Sequence, residues 1–452
     1  MKVFFLSLGC DKNLCDSEHM LYDLFQAGYE FTDDEAEADI IIVNTCSFIG
    51  DAKQESIDEI LRLAEYKESG QLKALIACGC LSERYQEEIL KELPELDGVF
   101  GTGSWDKAVC VVEEALKGKK TEVFYDPTRD PKPNGRILTT AGGYAFLKIA
   151  EGCDKNCTYC IIPKNRGHYR SFPMEELVEE ARTLTEKGVT ELILVAQETT
   201  VYGKDLYGKK SLPELLKKLS KIEDLKWIRL MYCYPEEIDE ELLYAMKELP
   251  KVVRYLDLPV QSASDRILKR MNRRTNSREL LNKIALIRKI LPGTALRTTL
   301  ISGFPGETEE DAEETLKFVK KAKFERLGVF TYSPEEDTPA ALFEDQVEEN
   351  VKEERRDRLM AAQQRIAFKQ AESMVGKTLP CIVEGMLTED SGIETDGQTV
   401  YAGRTYMDAP EVDGMIFILS DNDLLSGAVI NVNILSSEGY DLIGEQVYES
   451  AE

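Results

Sequence analysis

Cys153-Asp-Lys-Asn-Cys157-Thr-Tyr-Cys160 sets three cysteines at C-x3-C-x2-C spacing, just after the apolar run Tyr144–Ile149. Thiolates this close can ligate three irons of a [4Fe–4S] cluster and leave the fourth iron without a protein ligand. The competing use is a closed structural zinc site, which needs a fourth Cys or His, and His168 is the nearby candidate. A second set is dispersed. Cys10 follows the run Val3–Leu8, Cys46 follows Asp39–Val43, and Cys80 follows Ala74–Cys78. If these runs are parallel strands of a doubly wound sheet, their C-terminal ends converge on one crevice and the three thiols meet there. That arrangement predicts a second three-cysteine [4Fe–4S] site. Cysteines that only fill a core scatter within elements, as Cys110, Cys233 and Cys381 do. Cys15 lies close enough to Cys10 to compete for ligation.

The rest of the composition narrows the chemistry. The chain has 452 residues, 11 cysteines and 2 histidines, His19 and His168. Histidine-based catalysis and His-rich metal sites are nearly excluded on count. An odd cysteine count in a long chain argues against a disulfide framework and for a reducing, cytoplasmic setting. The start, Met1 to Cys10, resembles a lipoprotein leader only superficially, since its apolar run is at the lower limit for one. No run approaches the ~20 apolar residues of a membrane span. The 83 acids against 56 bases give a net charge of −27. Phosphates would be repelled, which excludes a bulk electrostatic grip on nucleic acid and a polybasic membrane binder.

Three kinds of texture must position these groups. Residues 1–125 alternate buried strands with helical patterns at 14–27, 51–68 and 83–93, a doubly wound α/β domain. Residues 126–138 form a linker, centred on the turn-rich Asp126–Gly135. In 139–375, strands at 144–149, 191–196, 227–232, 253–258, 295–302 and 326–332 alternate with helices at 174–187, 211–222, 237–249, 264–271, 277–291 and 307–323. Six βα units predict a partial or complete barrel with active groups at the C-terminal strand ends, and the charged stretch 345–375 reads as one connecting helix. Residues 376–446 change to short strands with turns at Thr395–Gly397 and Val412–Gly414, a small all-β barrel or sandwich.

Cys153–Cys160, with Tyr159 before the third cysteine, resembles the signature of the radical S-adenosylmethionine enzymes. With Cys10, Cys46 and Cys80 added, the whole chain resembles the methylthiotransferase family within them. The matching pieces are Ser7-Leu-Gly-Cys-Asp-Lys-Asn13, Asp16-Ser-Glu18, Asn44-Thr-Cys46, Gly79-Cys80, Ile162-Pro, Arg166-Gly, Leu258-Pro-Val-Gln-Ser262 and Gly303-Phe-Pro-Gly-Glu-Thr308. The last domain resembles the TRAM module. The resemblance implies two [4Fe–4S] clusters. Cys153, Cys157 and Cys160 would hold the one whose open iron chelates S-adenosylmethionine, and reduction would yield a 5′-deoxyadenosyl radical. Cys10, Cys46 and Cys80 would hold the one that carries an exogenous sulfur. One S-adenosylmethionine methylates that sulfur, and a second supplies the radical that opens an unactivated C–H bond. Tyr159 would sit beside the adenine, with Gln197 and Glu198 near the methionine amino group; each could instead be packing or a cap. Gln261, Ser262 and Gly303–Glu307 fall at later strand ends, where Gly303, Pro305 and Gly306 have a turn role. A low-potential electron donor of the flavodoxin or ferredoxin type is implied as a partner.

The family has one branch acting on adenosine in transfer RNA and another on the β-carbon of an aspartate in ribosomal protein twelve of the small subunit. Ser7–Leu14 and Gly403–Gly414 resemble the ribosomal-protein branch. Charge points the same way. Residues 377–452 carry 15 acids against Lys377 and Arg404, too few bases to grip RNA but suited to steering a basic protein. Against it stands the run Arg266, Lys269, Arg270, Arg273, Arg274 and Arg278, read as a solvated face, or alternatively as an RNA contact. A non-catalytic iron–sulfur electron carrier is the reading from outside the enzyme class.

Overall fold

Strands apolar on both faces belong in the middle of a parallel sheet, where helices cover both sides. The computed structural model describes residues 1–68, 70–387 and 397–448. It divides into two units: Met1–Thr139 with Ala150–Arg170 and Ser333–Leu342, and Thr140–Ile149 with Ser171–Tyr332 and Phe343–Glu452.

In the first unit, β1 (Lys2–Ser7), β2 (Glu30–Phe31), β3 (Ile40–Thr45), β4 (Ala74–Gly79), β5 (Gly98–Phe100) and β6 (Thr121–Val123) pair in parallel in the order β2-β1-β3-β4-β5-β6. The helices are α1 (Asp11–Gln26), α2 (Gly50–Ala64), α3 (Cys80–Tyr85), α4 (Ile89–Glu92) and α5 (Ala108–Leu116). Alternate residues of β3 face opposite layers. Ile40 and Ile42 pack with Met20, Leu24, Val111 and Val112, while Ile41 and Val43 pack with Ile60, Leu63 and Leu81. This is the doubly wound arrangement the sequence predicts, with β2, β5 and β6 added. The helix expected over 83–93 is broken, because Gln86 takes φ 44° and ends α3. The turn-rich stretch after residue 125 has no helix or strand, yet it is tied along α1. Asn134 Nδ2 donates to Asp23 at 3.0 Å, the Gly135 carbonyl meets His19 Nδ1 at 2.8 Å, and Thr139 N–H donates to Glu18 at 2.7 Å.

In the second unit, β7 (Tyr144–Lys148) leads to a sheet continued by later strands. The chain then returns to the first unit for β8 (Ala150–Glu151), the cysteine loop and α6 (Ile162–Arg166), and re-enters the second at the end of β9 (Arg170–Ser171). Then come α7 (Met174–Glu186), β10 (Glu191–Val195), α8 (Lys204–Tyr207), α9 (Leu212–Leu219), β11 (Trp227–Leu230), α10 (Glu240–Glu248) and β12 (Val252–Asp257). The run ends with α11 (Asp265–Arg270), α12 (Ser277–Ile290), β13 (Ala295–Ser302), α13 (Glu309–Ala322), β14 (Arg326–Thr331) and α14 (Glu349–Glu372). The six strands pair in parallel in the order β14-β13-β12-β11-β10-β7, an open sheet of the partial-barrel kind. β15 (Thr378–Met386), β16 (Thr399–Thr405), β17 (Ile416–Ser420), β18 (Val429–Glu438) and β19 (Asp441–Gln446) close a five-stranded barrel. Of the expected turn Thr395–Gly397, Thr395 and Asp396 lie outside the described residues.

The barrel docks on the sheet through buried charge. Arg404 pairs with Glu191 at 2.7 Å, Glu191 with Arg229 at 2.7 Å, and Arg326 with Asp408. Tyr255 donates to Asp413 at 2.7 Å. The segment Gly403–Gly414, read as a branch signature, is therefore spent largely on holding the barrel. The basic run is also spent in part, against the expectation of a solvated face. Arg266 pairs with Asp311, Arg270 with Asp345 at 2.7 Å, and buried Arg273 with Glu236 at 3.1 Å, while Lys269, Arg274 and Arg278 are exposed. Among the described residues, no helix is long and apolar enough to cross a membrane.

Candidate functional site

The six cysteines singled out by spacing all fall in the first unit. β1, β3 and β4 are neighbours in the sheet, so Cys10, Cys46 and Cys80, each just past a strand end, emerge side by side. Two glycines permit the approach. Gly9 takes φ 98°, and a Cβ there would lie 2.9 Å from Cys46 Cβ and 3.1 Å from Cys46 Sγ. Gly79 takes φ 88°, and a Cβ there would lie 2.2 Å from Asn44 Oδ1. Only glycine serves at either turn.

Asn13 laces the three turns together. Fully buried on α1, it donates from Nδ2 to the Leu8 carbonyl at 3.2 Å and the Thr45 carbonyl at 2.9 Å, and its Oδ1 accepts from the Cys80 thiol at 3.7 Å. Ser56 holds the Cys46 backbone from the other side, accepting from its N–H at 3.0 Å and donating to its carbonyl at 3.1 Å. Burial pushes the Cys80 thiol up to about 12, with Cys10 and Cys46 adding and Arg166 opposing. Burial likewise raises Cys46, with a further push from Cys10. Thiols so held lose their protons to a metal rather than to water.

The second triad is local. Cys153 N–H donates to the Gly167 carbonyl at 3.2 Å and Cys160 N–H to the Cys157 carbonyl at 3.0 Å. Burial raises the Cys160 thiol, and Cys157 and Cys153 raise it further. Tyr159 between them is half-buried. The loop is pinned by Ala340 N–H on the Thr158 carbonyl at 2.9 Å.

Both donor sets fit an iron–sulfur cluster with one open position better than a closed zinc site. Among the described residues, no three His, Cys, Asp or Glu side chains gather around a single ion. His168 Nδ1 faces Asp154 at 2.9 Å on the surface, and His19 stacks on Trp105 with ring centroids 5.4 Å apart. Neither supplies a fourth ligand. Cys15, a candidate competitor of Cys10, is buried against Arg136 Nη2 at 3.5 Å. Cys78 belongs to the apolar core.

In the second unit, Gln197 and Glu198 lie on the loop that leaves β10. Glu198 is buried, and its Oε1 accepts from Thr200 N–H at 2.9 Å, which is a turn-capping contact. The loop after β12 holds Gln261 at φ 68°, and Tyr232 beyond β11 has φ 57°. Such backbone strain on adjacent strand ends is typical of functional loops.

Asn13 and Arg166 are functional candidates that spacing did not identify, although both stand in motifs quoted for the resemblance. Their signal was their place next to cysteine turns. Arg166 is buried and pairs with Asp16 at 2.8 Å and Glu151 at 3.2 Å.

Comparison with known proteins adds three family matches in chain order. Residues 2–101 match an uncharacterized protein family, UPF0004, 147–319 the radical SAM superfamily, and 375–447 the TRAM domain. A ribosomal protein uS12 methylthiotransferase RimO from Lachnoclostridium phytofermentans is 58% identical over 98% of this chain and 99% of its own. Proteins of the same name from Thermoanaerobacter (49% identical; 97% of this chain, 98% of theirs) and Clostridioides difficile (46%; 100% of both) are similar over the same span. Among solved structures, the radical S-adenosylmethionine methyltransferase TsrM from Kitasatospora setae aligns over 87% of this chain and 79% of its own, with TM-score 0.54 and 14% identity, a likeness of fold alone.

Proposed function

The chain belongs to the RimO family of radical SAM methylthiotransferases, and from that premise we propose that it installs a methylthio group on the β-carbon of an aspartate in ribosomal protein uS12. A radical SAM protein uses a [4Fe–4S] cluster and S-adenosylmethionine. We assign Cys153, Cys157 and Cys160 to that cluster, and Cys10, Cys46 and Cys80 to a second. When bound, the pair of clusters would supply a carbon-centred oxidant from S-adenosylmethionine and a site for the sulfur to be transferred. The chain's own contribution is to hold six thiols in two groups of three, shield Cys46, Cys80, Cys153 and Cys157 from water by burial, and leave one position open in each group. Tyr159, Gln197 and Glu198 are the contacts assigned to S-adenosylmethionine, and a low-potential flavodoxin or ferredoxin would deliver electrons. The domain limits adopted are 1–125, 126–138, 139–375 and 376–446.

The observation that carries this reading is that Cys10, Cys46 and Cys80 emerge side by side from the ends of three neighbouring parallel strands. Transfer RNA is disfavoured as substrate, because the terminal module has Lys377 and Arg404 as its only bases and Arg404 is buried in ion pairs. The test incubates reconstituted enzyme with reductant and S-adenosylmethionine, offering uS12 or transfer RNA, and weighs the products. The expected outcome is uS12 heavier by one methylthio group in place of one hydrogen. A mass gain on transfer RNA with none on uS12 would overturn the assignment.

A further inference from the structure

Arg166 follows the C-x3-C-x2-C loop, yet its side chain reaches the other triad. Its guanidinium is 3% exposed. Nη1 donates to Asp16 Oδ2 at 2.8 Å and to Glu151 Oε2 at 3.2 Å. Nη2 donates to Asn13 Oδ1 and to Cys80 Sγ at 3.5 Å. Two carboxylates on different elements, α1 and β8, hold the fork in place, and a buried arginine so paired is costly to displace. Both carboxylates are engaged by Nη1, while Nη2 faces the Cys80 sulfur and brings the guanidinium's charge to it. An N–H bond and a positive charge on a ligating sulfur favour the more reduced, more negative state of a cluster.

We propose that Arg166 is a positioning residue that raises the reduction potential of the cluster held by Cys10, Cys46 and Cys80. It does so from the end of the segment that carries the radical-site cysteines, so one short stretch of chain, 153–166, serves both triads. This rests on the two-cluster reading above. Lysine keeps the charge but lacks the planar fork that reaches Asp16, Asn13 and Cys80 together, so Arg166→Lys retains only part of the effect. Glutamine loses the charge, and pairing it with Asp16→Asn removes one of the two buried carboxylates that lose the arginine, Glu151 being the other.

The experiment reconstitutes the full chain and the variants Arg166→Lys and Arg166→Gln/Asp16→Asn, counts iron and sulfide, and titrates both clusters by EPR-monitored reduction. Cys46→Ala identifies the signal that belongs to the N-terminal triad. The expected result is two clusters in every arginine variant. The N-terminal midpoint moves to more negative potential, most in the double variant, and the other midpoint stays in place. Two clusters with an unmoved N-terminal midpoint would overturn the role of Arg166 alone. Loss of cluster content without any shift in the remaining N-terminal signal would overturn it too, since that is what a merely structural role gives. A wild-type protein that binds one cluster would overturn the two-cluster reading itself.

Discussion

The side chain that brings the N-terminal triad together is an amide. Asn13 answers two backbone carbonyls, one before Cys10 and one before Cys46, and accepts from the third thiol. Asn13→Ala leaves the Leu8 and Thr45 carbonyls without that donor in a buried setting. It is expected to cost about 1–3 kcal/mol in denaturant unfolding and to lower the iron retained by the N-terminal triad while sparing the C-x3-C-x2-C site. Equal iron loss at both sites would show that Asn13 serves general stability only. At this scale the cysteines were legible in sequence because their chemistry lies in residue type and spacing. Asn13 and Arg166 were not, because a buried amide and a buried guanidinium gain their meaning from partners as far as 153 residues away.

The elements read from hydrophobic pattern are the long ones. Period-2 and continuous apolar runs found β1, β3, β4 and the six strands of the second sheet, whereas β2, β5 and β6 are two or three residues long and carry no period. Spacing was equally silent about the strap Ser333–Leu342, which belongs to the first unit although it lies far along the chain. Glu335 in that strap accepts from Arg84 of α3 and Lys53 of α2, each at 2.9 Å, and Arg84 also donates to the Ser47 carbonyl beside Cys46 at 3.2 Å. Burial alone would raise the Glu335 carboxyl, but its bonds from Ser333, Lys53 and Arg84 hold it below its ordinary value. A carboxyl depressed in the folded state stabilises above its unfolded value of about 4.5 and loses that contribution as pH falls through the folded value. Glu335→Gln is therefore expected to cost about 3 kcal/mol at pH 7, as the breaking of a buried pair does. The gap from wild type should narrow in acid. Urea unfolding at neutral and acid pH checks this, and a gap that widens in acid would contradict the sign.

Charge acts on the scale of the whole chain, and the structure changes how the −27 should be read. The terminal barrel is the most acidic part, yet Asp408 and Asp413 pair with Arg326 and Arg297 and so hold the barrel to its sheet, while Glu384 pairs with Arg404 inside the barrel. Those charges cannot steer a partner. Asp421, Asp423 and Glu438 are exposed, and they keep the field that a basic ribosomal protein would meet. Steering by exposed charges is screened over roughly 8 Å at physiological salt, whereas docking by buried pairs is screened much less. The two uses of acid can therefore be separated by salt. Asp421→Asn/Asp423→Asn is expected to raise KM for uS12 about threefold at low ionic strength, by slowing encounter, with kcat unchanged. The difference should fade as salt rises from about 0.05 M to about 0.5 M, where the Debye length falls to a few ångströms. Steady-state kinetics across that range decides it. A defect that persists unchanged at high salt would mean that the loop touches uS12 directly, and a variant indistinguishable from wild type at low salt would remove the acidic barrel from substrate capture.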